Sequence, residues 1–155
     1  MMNNIYIGLG SNIGDRTHFI NEAIDLLSKH DSITVLKISK FYETKPENNR
    51  PAPDYINAAL EIECGLNPKE LLRETQNIER ELGRTSKGTY EPRTIDIDIL
   101  FYGVDIVCVE GLTIPHPFVH ERSFVLKPLV DIASRFVHPV LEKDVQTLYD
   151  CIVGY

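Results

Sequence analysis

The stretch YINAALEIEC, from Tyr55 to Cys64, alternates between two sets of side chains along its whole length. One set is apolar and consists of Ile56, Ala58, Leu60, Ile62 and Cys64. The other set is mixed and consists of Tyr55, Asn57, Ala59, Glu61 and Glu63. Because successive side chains of a strand point to opposite faces, this pattern predicts a strand whose apolar face covers a core.

A second strand precedes this one without a helix between them. Residues 33–43 have the composition of a strand, and the prolines of RPAP at 50–53 exclude a helix from the connection. Two successive strands after a helix argue against a regular alternating α/β fold. They favour an α+β sandwich of the ferredoxin-like kind, with helices on one face of a mainly antiparallel sheet.

Capping signals mark the two clearest helices. Asp15 precedes a helix predicted over 16–29. Asn67, followed by Pro68 and Glu70, begins a helix that ends at Leu82 before Gly83. The other predicted elements are strands over 4–10 and 95–102, a hairpin return strand over 104–109, an irregular region over 111–123, and helices over 124–133 and 144–151. Because no repeat or linker interrupts this order, we expect a single domain over residues 1–155.

Composition limits the classes of function. The net charge is −7, whereas nucleic-acid-binding proteins are more often basic, so we expect no nucleic-acid partner. No segment approaches the roughly 20 apolar residues of a membrane span, and the N-terminal residues lack the pattern of a signal peptide. The three cysteines show no CxxC spacing, which is typical of reduced thiols. We therefore expect a cytoplasmic protein without a membrane partner, and a monomer.

Two carboxylates stand in the stretch EPRTIDIDILFYG, which runs from Glu91 to Gly103. Asp96 and Asp98 share one face of the predicted strand, with Cα atoms about 6.6 Å apart. The apolar face is expected to carry Ile95, Ile97, Ile99 and Phe101. Carboxylates at this spacing can converge on one divalent cation or on two about 3.5–4 Å apart, and their hard oxygens suit Mg²⁺ held jointly with phosphates. The alternative is a solvated outer face that carries acidic residues.

Cationic residues lie just before these carboxylates. Arg84, Lys87 and Arg93 fall in the window RTSKGTYEPR, where Glu91 is the only acid. Cations beside paired carboxylates are what a metal-bound polyphosphate requires. The window contains Gly88 and Pro92, so we expect a mobile loop that can close over a nucleotide. A charge-balanced surface loop is the alternative.

Other polar residues suggest contacts with a heterocycle. Tyr55 can stack on a flat ring, and Asn57 on the same face offers a donor and an acceptor; an exposed aromatic beside a turn is the alternative. The turn GLGSNIG at 8–14 lacks the spacing of a dinucleotide fingerprint, because its third glycine is displaced. Pro117 between His116 and His120 disfavours a helical zinc pair, and His116 near Arg122 is better suited to a phosphate.

Taken in order, the motifs GLGSN, FYETKP, DYINAAL, ELLRETQNIERELGR, PRTIDIDIL, LTIPHP and ERSFVLKPL resemble those of the 6-hydroxymethyl-7,8-dihydropterin pyrophosphokinase family of folate biosynthesis. The resemblance covers nearly the whole chain. It implies a ferredoxin-like fold and transfer of a pyrophosphoryl group from ATP to the pterin hydroxymethyl oxygen, which leaves AMP. It also implies two Mg²⁺ ions as cofactors, with ATP and the pterin as small-molecule partners.

The resemblance also implies roles for individual residues. Metal binding falls to Asp96 and Asp98, which form the catalytic set together with Arg84 and Arg93. The residues implied in ATP binding are Leu72, Gln76, Glu79, Lys87, Arg93, Ile99, Thr113, His116 and Arg122. The residues implied in pterin binding are Gly10, Asn12, Thr44, Tyr55, Asn57, Asp96 and Phe124, with Tyr55 and Phe124 enclosing the ring.

The chain departs from the family pattern in and around the loop over 84–92. This loop is one residue shorter than in well-known members, and Lys87 or Ser86 stands near the place of a second arginine. Tyr90 replaces a tryptophan, Lys45 a proline, and Gly111 an arginine that some members carry. No residue is identified as the general base. Two other classes stay open on the residues alone: a non-catalytic ligand-binding module and a metal-dependent nucleotide hydrolase.

Overall fold

The computed structural model describes residues 4–46, 51–83 and 94–154. A short 3₁₀ turn at Val119–Glu121 precedes the third α-helix. The strands and α-helices in chain order are β1 Ile5–Ser11, α1 Arg16–Lys29, β2 Ile33–Ile38, β3 Tyr42–Thr44, β4 Tyr55–Cys64, α2 Pro68–Glu81, β5 Asp96–Tyr102, β6 Val107–Val109, β7 Leu112–Ile114, α3 Ser123–Ala133 and α4 Val145–Val153.

Side-chain caps fix the start of the first two helices where the sequence predicts them. The Asp15 carboxylate accepts a hydrogen bond from His18 N at 3.1 Å. Asn67 Oδ1 accepts from Glu70 N, and Glu70 Oε1 accepts from Asn67 N, both at 2.9 Å. Each such cap stabilises a helix by about 1 kcal/mol. The predicted helices over 16–29, 124–133 and 144–151 are also confirmed, to within one or two residues at their ends.

The main sheet is antiparallel throughout, with strand order β2-β4-β1-β5, and β3 also pairs with β4. The predicted single strand over 33–43 is therefore two strands. Ser39 lies in the break, where its N–H donates to Ala59 O and its Oγ accepts from Ala59 N. The long β4 thus pairs with β2 along one half and with β3 along the other.

Helices cover both faces of the sheet, so the expectation that they lie on one face is wrong. One core contains buried residues of α1 and α2 against the alternating face of β4 that the sequence predicts as apolar. The second core lies on the opposite face, where Leu126 and Leu129 of α3 pack with Ala59, which is only 1% exposed. The α+β fold of the ferredoxin-like kind, with its C-terminal helices, is confirmed.

A bulge in β5 corrects the predicted apolar face of this strand. Ile99 pairs with Ile7 and Phe101 with Tyr6, so Leu100 is an extra residue between two paired positions. An extra residue reverses the alternation of side chains beyond it. Phe101 consequently packs in the second core, not with Ile95, Ile97 and Ile99 as predicted.

The hairpin after β5 differs from the predicted one. Gly103, at φ 58°, turns the chain as expected, but β6 pairs with β7 and not with β5. Part of the region expected to be irregular, 111–123, therefore forms a strand. On β5, the N–H of Ile97 donates to the Glu79 carboxylate, and the carbonyl of Leu100 accepts from the N–H of His116.

Within the described ranges, no helix combines the length and hydropathy needed to cross a bilayer.

Candidate active site

The centre of the site is a row of three residues across neighbouring strands. Gly10 of β1 pairs with Asn57 of β4 on one side and with Asp96 of β5 on the other. Directly paired residues of antiparallel strands present their side chains on the same face. Asn57 and Asp96 therefore face the same side about 10 Å apart, at two strand spacings. The glycine between them adds no side chain to this row.

Close packing around Gly10 explains why this position carries no side chain. A Cβ added there would lie 3.0 Å from Asn57 Oδ1 and 3.5 Å from Cδ1 of Tyr55. Both neighbours are residues for which the resemblance implies pterin binding. A side chain at residue 10 would therefore displace Asn57 or Tyr55 from its present position.

The polar end of this row is fixed by hydrogen bonds. Asn57, 7% exposed, donates through Nδ2 to Thr44 Oγ1 on β3. This contact directs the amide nitrogen towards β3 and leaves Oδ1 near Gly10. Asn12, also buried, donates through Nδ2 to the carbonyl of Pro53 at 3.4 Å. The structure thus brings the implied pterin residues of β1, β3 and β4 together at one end of the sheet.

Phe124 lies in the first turn of α3 and is half-buried. The guanidinium carbon of Arg122 is 5.8 Å from its ring centroid and 5.1 Å from that of Phe118. One turn further along the same face of α3, Lys127 Nζ lies 5.0 Å from the centroid of Tyr42, a residue that pairs with Asn57. This face of α3 therefore overlies the side of the sheet that carries Asn57. The enclosure of a pterin ring by Tyr55 and Phe124 stays a prediction.

The two aspartates are half-buried on the face of β5 opposite the buried isoleucines. Between them, the N–H of Ile97 donates to Oε2 of Glu79 at 2.8 Å. Glu79 is 3% exposed, so its carboxylate supports the strand from the side of α2. Among the described residues, no group of three or more His, Cys, Asp or Glu side chains could hold a metal. Two carboxylates nevertheless fit Mg²⁺, which commonly takes one or two protein ligands with substrate phosphates and water.

Further implied ATP contacts lie beside β5. His116 N donates to Leu100 O at 3.0 Å, which ties the histidine to this strand. Its Nδ1 accepts from Phe118 N at 3.2 Å, so the neutral ring carries its proton on Nε2. Thr113 is exposed on β7. The Ile99 side chain is buried in the first core, which leaves its backbone as the group that can contact a nucleotide.

The remaining implied residues divide into two groups. Leu72 and Gln76 are half-buried on α2, the helix that also carries Glu79. Arg84, Lys87 and Arg93 lie outside the described residues, so their roles stay predictions.

One contact near the site involves residues that the sequence analysis did not single out. The hydroxyl of Tyr42 donates to both carboxylate oxygens of Asp131, across 89 residues of chain. Tyr42 lies in the motif FYETKP, but no local pattern signals its partner, because Asp131 is 89 residues further along the chain. Only the docking of α3 beside β3 brings them together.

Comparisons with known proteins identify the family of the chain. A family model described as 7,8-dihydro-6-hydroxymethylpterin-pyrophosphokinase (HPPK) matches residues 6–134. The 2-amino-4-hydroxy-6-hydroxymethyldihydropteridine pyrophosphokinase of Bacillus subtilis is 48% identical over 135 residues, which cover 86% of this chain and 81% of that protein. The enzyme of the same name from Haemophilus influenzae is 42% identical over 134 residues, which cover 86% of this chain and 84% of that protein.

Longer proteins also match. The folic acid synthesis protein fol1 of Pneumocystis carinii is 47% identical over 151 residues, which are 97% of this chain but 20% of that protein. Crystalline Plasmodium falciparum HPPK-DHPS with pteroate superposes with a TM-score of 0.78 at 17% identity, over 99% of this chain and 43% of that one; at this identity the likeness concerns the fold. The chain thus spans less than half of these two proteins. Because the family model matches residues 6–134, the chain belongs to the 7,8-dihydro-6-hydroxymethylpterin-pyrophosphokinase family.

Proposed function

We propose that this protein transfers a diphosphate group from ATP to the hydroxymethyl oxygen of 6-hydroxymethyl-7,8-dihydropterin, giving the pterin diphosphate and AMP. The observation that carries the proposal is the row of Asn57, Gly10 and Asp96 across three strands. It sets Asn57, whose amide suits the edge of a heterocycle, and Asp96, whose carboxylate suits a phosphate-bound metal, on one face of the sheet with only a glycine between them. The names of the relatives in Bacillus and Haemophilus support the same reaction.

The pterin would lie over Gly10, with its reactive arm towards β5. Asn57 would accept from the ring edge through Oδ1 and donate through the Nδ2 hydrogen that Thr44 does not use. Asn12 and the backbone near Gly10 and Thr44 would complete the polar contacts. Tyr55 and Phe124 would stack on the two faces of the ring, which excludes water from it.

Asp96 and Asp98 would hold two Mg²⁺ ions together with the ATP phosphates. Mg²⁺ bound there would neutralise part of the phosphate charge and would lower the pKa of the substrate hydroxyl. The protein would fix the positions of the two carboxylates. The hydrogen bond from Ile97 N–H to Glu79 of α2 holds the segment of β5 that carries them.

The nucleotide would lie against α2, β5 and β7. Leu72, Gln76, Glu79, Thr113 and the backbone at Ile99 would contact it. His116 would donate from Nε2, and Arg122, Lys87 and Arg93 would bind phosphate oxygens. The hydroxymethyl oxygen would attack the β-phosphorus in line, and the bond from that phosphorus to the oxygen bridging to the α-phosphate would break. Arg84 would offset the charge that develops on the departing AMP, and the hydroxyl proton would pass to a base that we do not assign.

The test is to mix the purified protein with ATP, Mg²⁺ and the pterin, and to measure AMP and pterin diphosphate by chromatography. We expect the two products in equal amounts, and no AMP when the pterin is omitted. AMP release without pterin would indicate a nucleotide hydrolase. Binding of both ligands without any product would indicate a non-catalytic module.

The same proposal treats residues 1–155 as one pyrophosphokinase domain that acts as a monomer in the cytoplasm. Sedimentation at enzyme concentrations used in the assay tests the monomer. A domain of this kind should keep full activity without any fused folate-pathway domain.

A further inference from the structure

Strand β3 is the least supported element of the candidate site. It has three residues and, among the described strands, pairs only with β4. Thr44, its last residue, accepts the hydrogen bond from Asn57 Nδ2. The position of β3 therefore decides where the Asn57 amide points. A strand of this length makes too few ladder hydrogen bonds to hold such a position by itself.

Asp131 of α3 holds β3 from the face that carries the site. Its Oδ1 and Oδ2 accept from the Tyr42 hydroxyl at 2.9 and 2.7 Å. Oδ2 also accepts from the backbone N–H of Lys40 at 3.2 Å. Hydrogen bonds to a carboxylate are stronger than those between neutral groups. One side chain of α3 thus fixes both the side chain and the backbone at the start of β3.

The surroundings of Tyr42 favour its role as the donor. The hydrogen bond to Asp131 raises the pKa of Tyr42 above its ordinary value, so the phenol keeps its proton. Lys127, one turn before Asp131, lies over the same ring. The partly exposed phenol ring therefore lies beside α3, and its hydroxyl is directed to the carboxylate.

A separate contact holds β3 on its other face. Arg16 Nη1 lies 2.8 Å from Glu43 Oε2 and donates to Asp54 O at 2.9 Å. Because alternate residues of a strand point to opposite faces, this ion pair does not depend on Tyr42. Loss of the Asp131 contact should therefore shift β3 and leave it paired, which separates an effect on positioning from general unfolding.

We propose that Tyr42 and Asp131 are positioning residues for the pterin substrate, which fix β3 so that Thr44 holds the Asn57 amide with its oxygen towards Gly10. The inference rests on the proposed function, because it assigns Asn57 to the pterin edge. The inference predicts a change in the binding of the pterin and not of ATP. In the sheet order β3-β4-β1-β5, β3 borders the pterin end of the row and lies three strands from β5.

The test uses Tyr42→Phe, which removes only the hydroxyl, and Asp131→Ala. We expect each to raise the KM for pterin about tenfold, the effect of losing a hydrogen bond to a charged group. The KM for ATP should stay within twofold of the wild-type value. The double variant should be no worse than Asp131→Ala alone, because the interaction that Tyr42→Phe removes is already lost in Asp131→Ala, which also loses the hydrogen bond from Lys40 N–H. The pterin Kd with a non-hydrolysable ATP analogue and Mg²⁺ provides a second measurement.

Two further variants separate positioning from stability. Asp131→Asn keeps an oxygen acceptor and should recover most of the pterin affinity. Leu27→Ala, in the first core on the opposite face of the sheet, should lower Tm at least as much as Asp131→Ala and leave the KM for pterin unchanged. An equal rise in this KM for Leu27→Ala would reduce the effect to stability and overturn the inference.

The outcomes also separate the inference from the function on which it rests. An active wild-type enzyme together with an unchanged pterin KM in Tyr42→Phe overturns the positioning role alone. A wild-type protein that forms no pterin diphosphate overturns the proposed function and, with it, this inference.

Discussion

The buried carboxylate of Glu79 accepts a hydrogen bond from the backbone N–H of Ile97 at 2.8 Å. Ile97 is the residue between Asp96 and Asp98, so a side chain of α2 supports the strand at the point where its two carboxylates project. The resemblance implies that Glu79 contacts the nucleotide. The structure gives it a second role, which is to satisfy a backbone donor in the first core.

Glu79→Ala should reduce both stability and activity. The Ile97 N–H would lose its acceptor, at a cost of about 1–3 kcal/mol in the free energy of unfolding. Glu79→Gln keeps an oxygen in nearly the same place and should lose less. Thermal unfolding and the Mg²⁺ dependence of kcat check this prediction. Equal stability in the alanine variant and the wild type would contradict it.

Replacement of either site aspartate should abolish most activity. Asp96→Asn and Asp98→Asn each remove a charged ligand from a divalent site, and we expect kcat to fall by at least about 100-fold. Because both side chains are half-buried, Tm should change little. The matched control is Asp105→Asn, at an exposed turn after β5, which should keep wild-type kcat. Full activity in both site variants would remove the metal assignment.

Gly10→Ala should weaken pterin binding more than it weakens folding. The added Cβ would lie 3.0 Å from Asn57 Oδ1, so the amide must move from the position in which Thr44 holds it. We expect a KM for pterin at least about tenfold higher, equivalent to the loss of one or two hydrogen bonds. Gly65→Ala, where the nearest atom is the Ser32 Cβ at 3.9 Å, serves as the tolerated control.

Arg84→Ala should lower kcat more than it raises the KM for ATP. A cation that acts on charge developing in the transition state contributes to rate and not to ground-state binding. Lys143→Ala, on an exposed loop before α4, provides a control for loss of one positive charge. A variant with intact kcat and only a raised KM would place Arg84 in ground-state binding.

Stability should fall at alkaline pH, in part through Tyr6. Burial and the charge of Glu61 raise the pKa of Tyr6 from 10.0 to about 12. The folded state therefore holds this proton more tightly than the unfolded chain. The resulting stability is fully present below pH 10 and is lost as the pH rises towards 12. Urea unfolding from pH 8 to 11 should show a decline that Tyr6→Phe makes shallower, and equal slopes would contradict the assignment.

Local sequence signals predict much of the fold. Caps at Asp15 and Asn67 fix the helix starts, because a few neighbouring residues decide each of them. The alternation in β4 predicts which of its faces lies in the first core. The same reasoning puts Asp96 and Asp98 on one face, and the order of motifs correctly predicts the family.

Long-range contacts account for what the sequence does not predict. The bulge at Leu100 depends on how β5 pairs with β1, and the sequence after Gly103 does not reveal that β6 pairs with β7 and not with β5. The contact between Tyr42 and Asp131 joins residues distant in sequence. No local pattern encodes any of these features. Each depends on how two elements pack together, whereas a sequence pattern describes one element at a time.

The extra residue at Leu100 makes β5 tolerant of one change of length. Because Ile99 lies opposite Ile7 and Phe101 opposite Tyr6, deletion of Leu100 would restore regular pairing with β1 and would keep Phe101 and Tyr102 on their present faces. The deletion would remove one leucine, 1% exposed, from the second core. Loss of this single codon should therefore destabilise the fold about as much as Leu100→Ala, by about 2–5 kcal/mol, without a change of register.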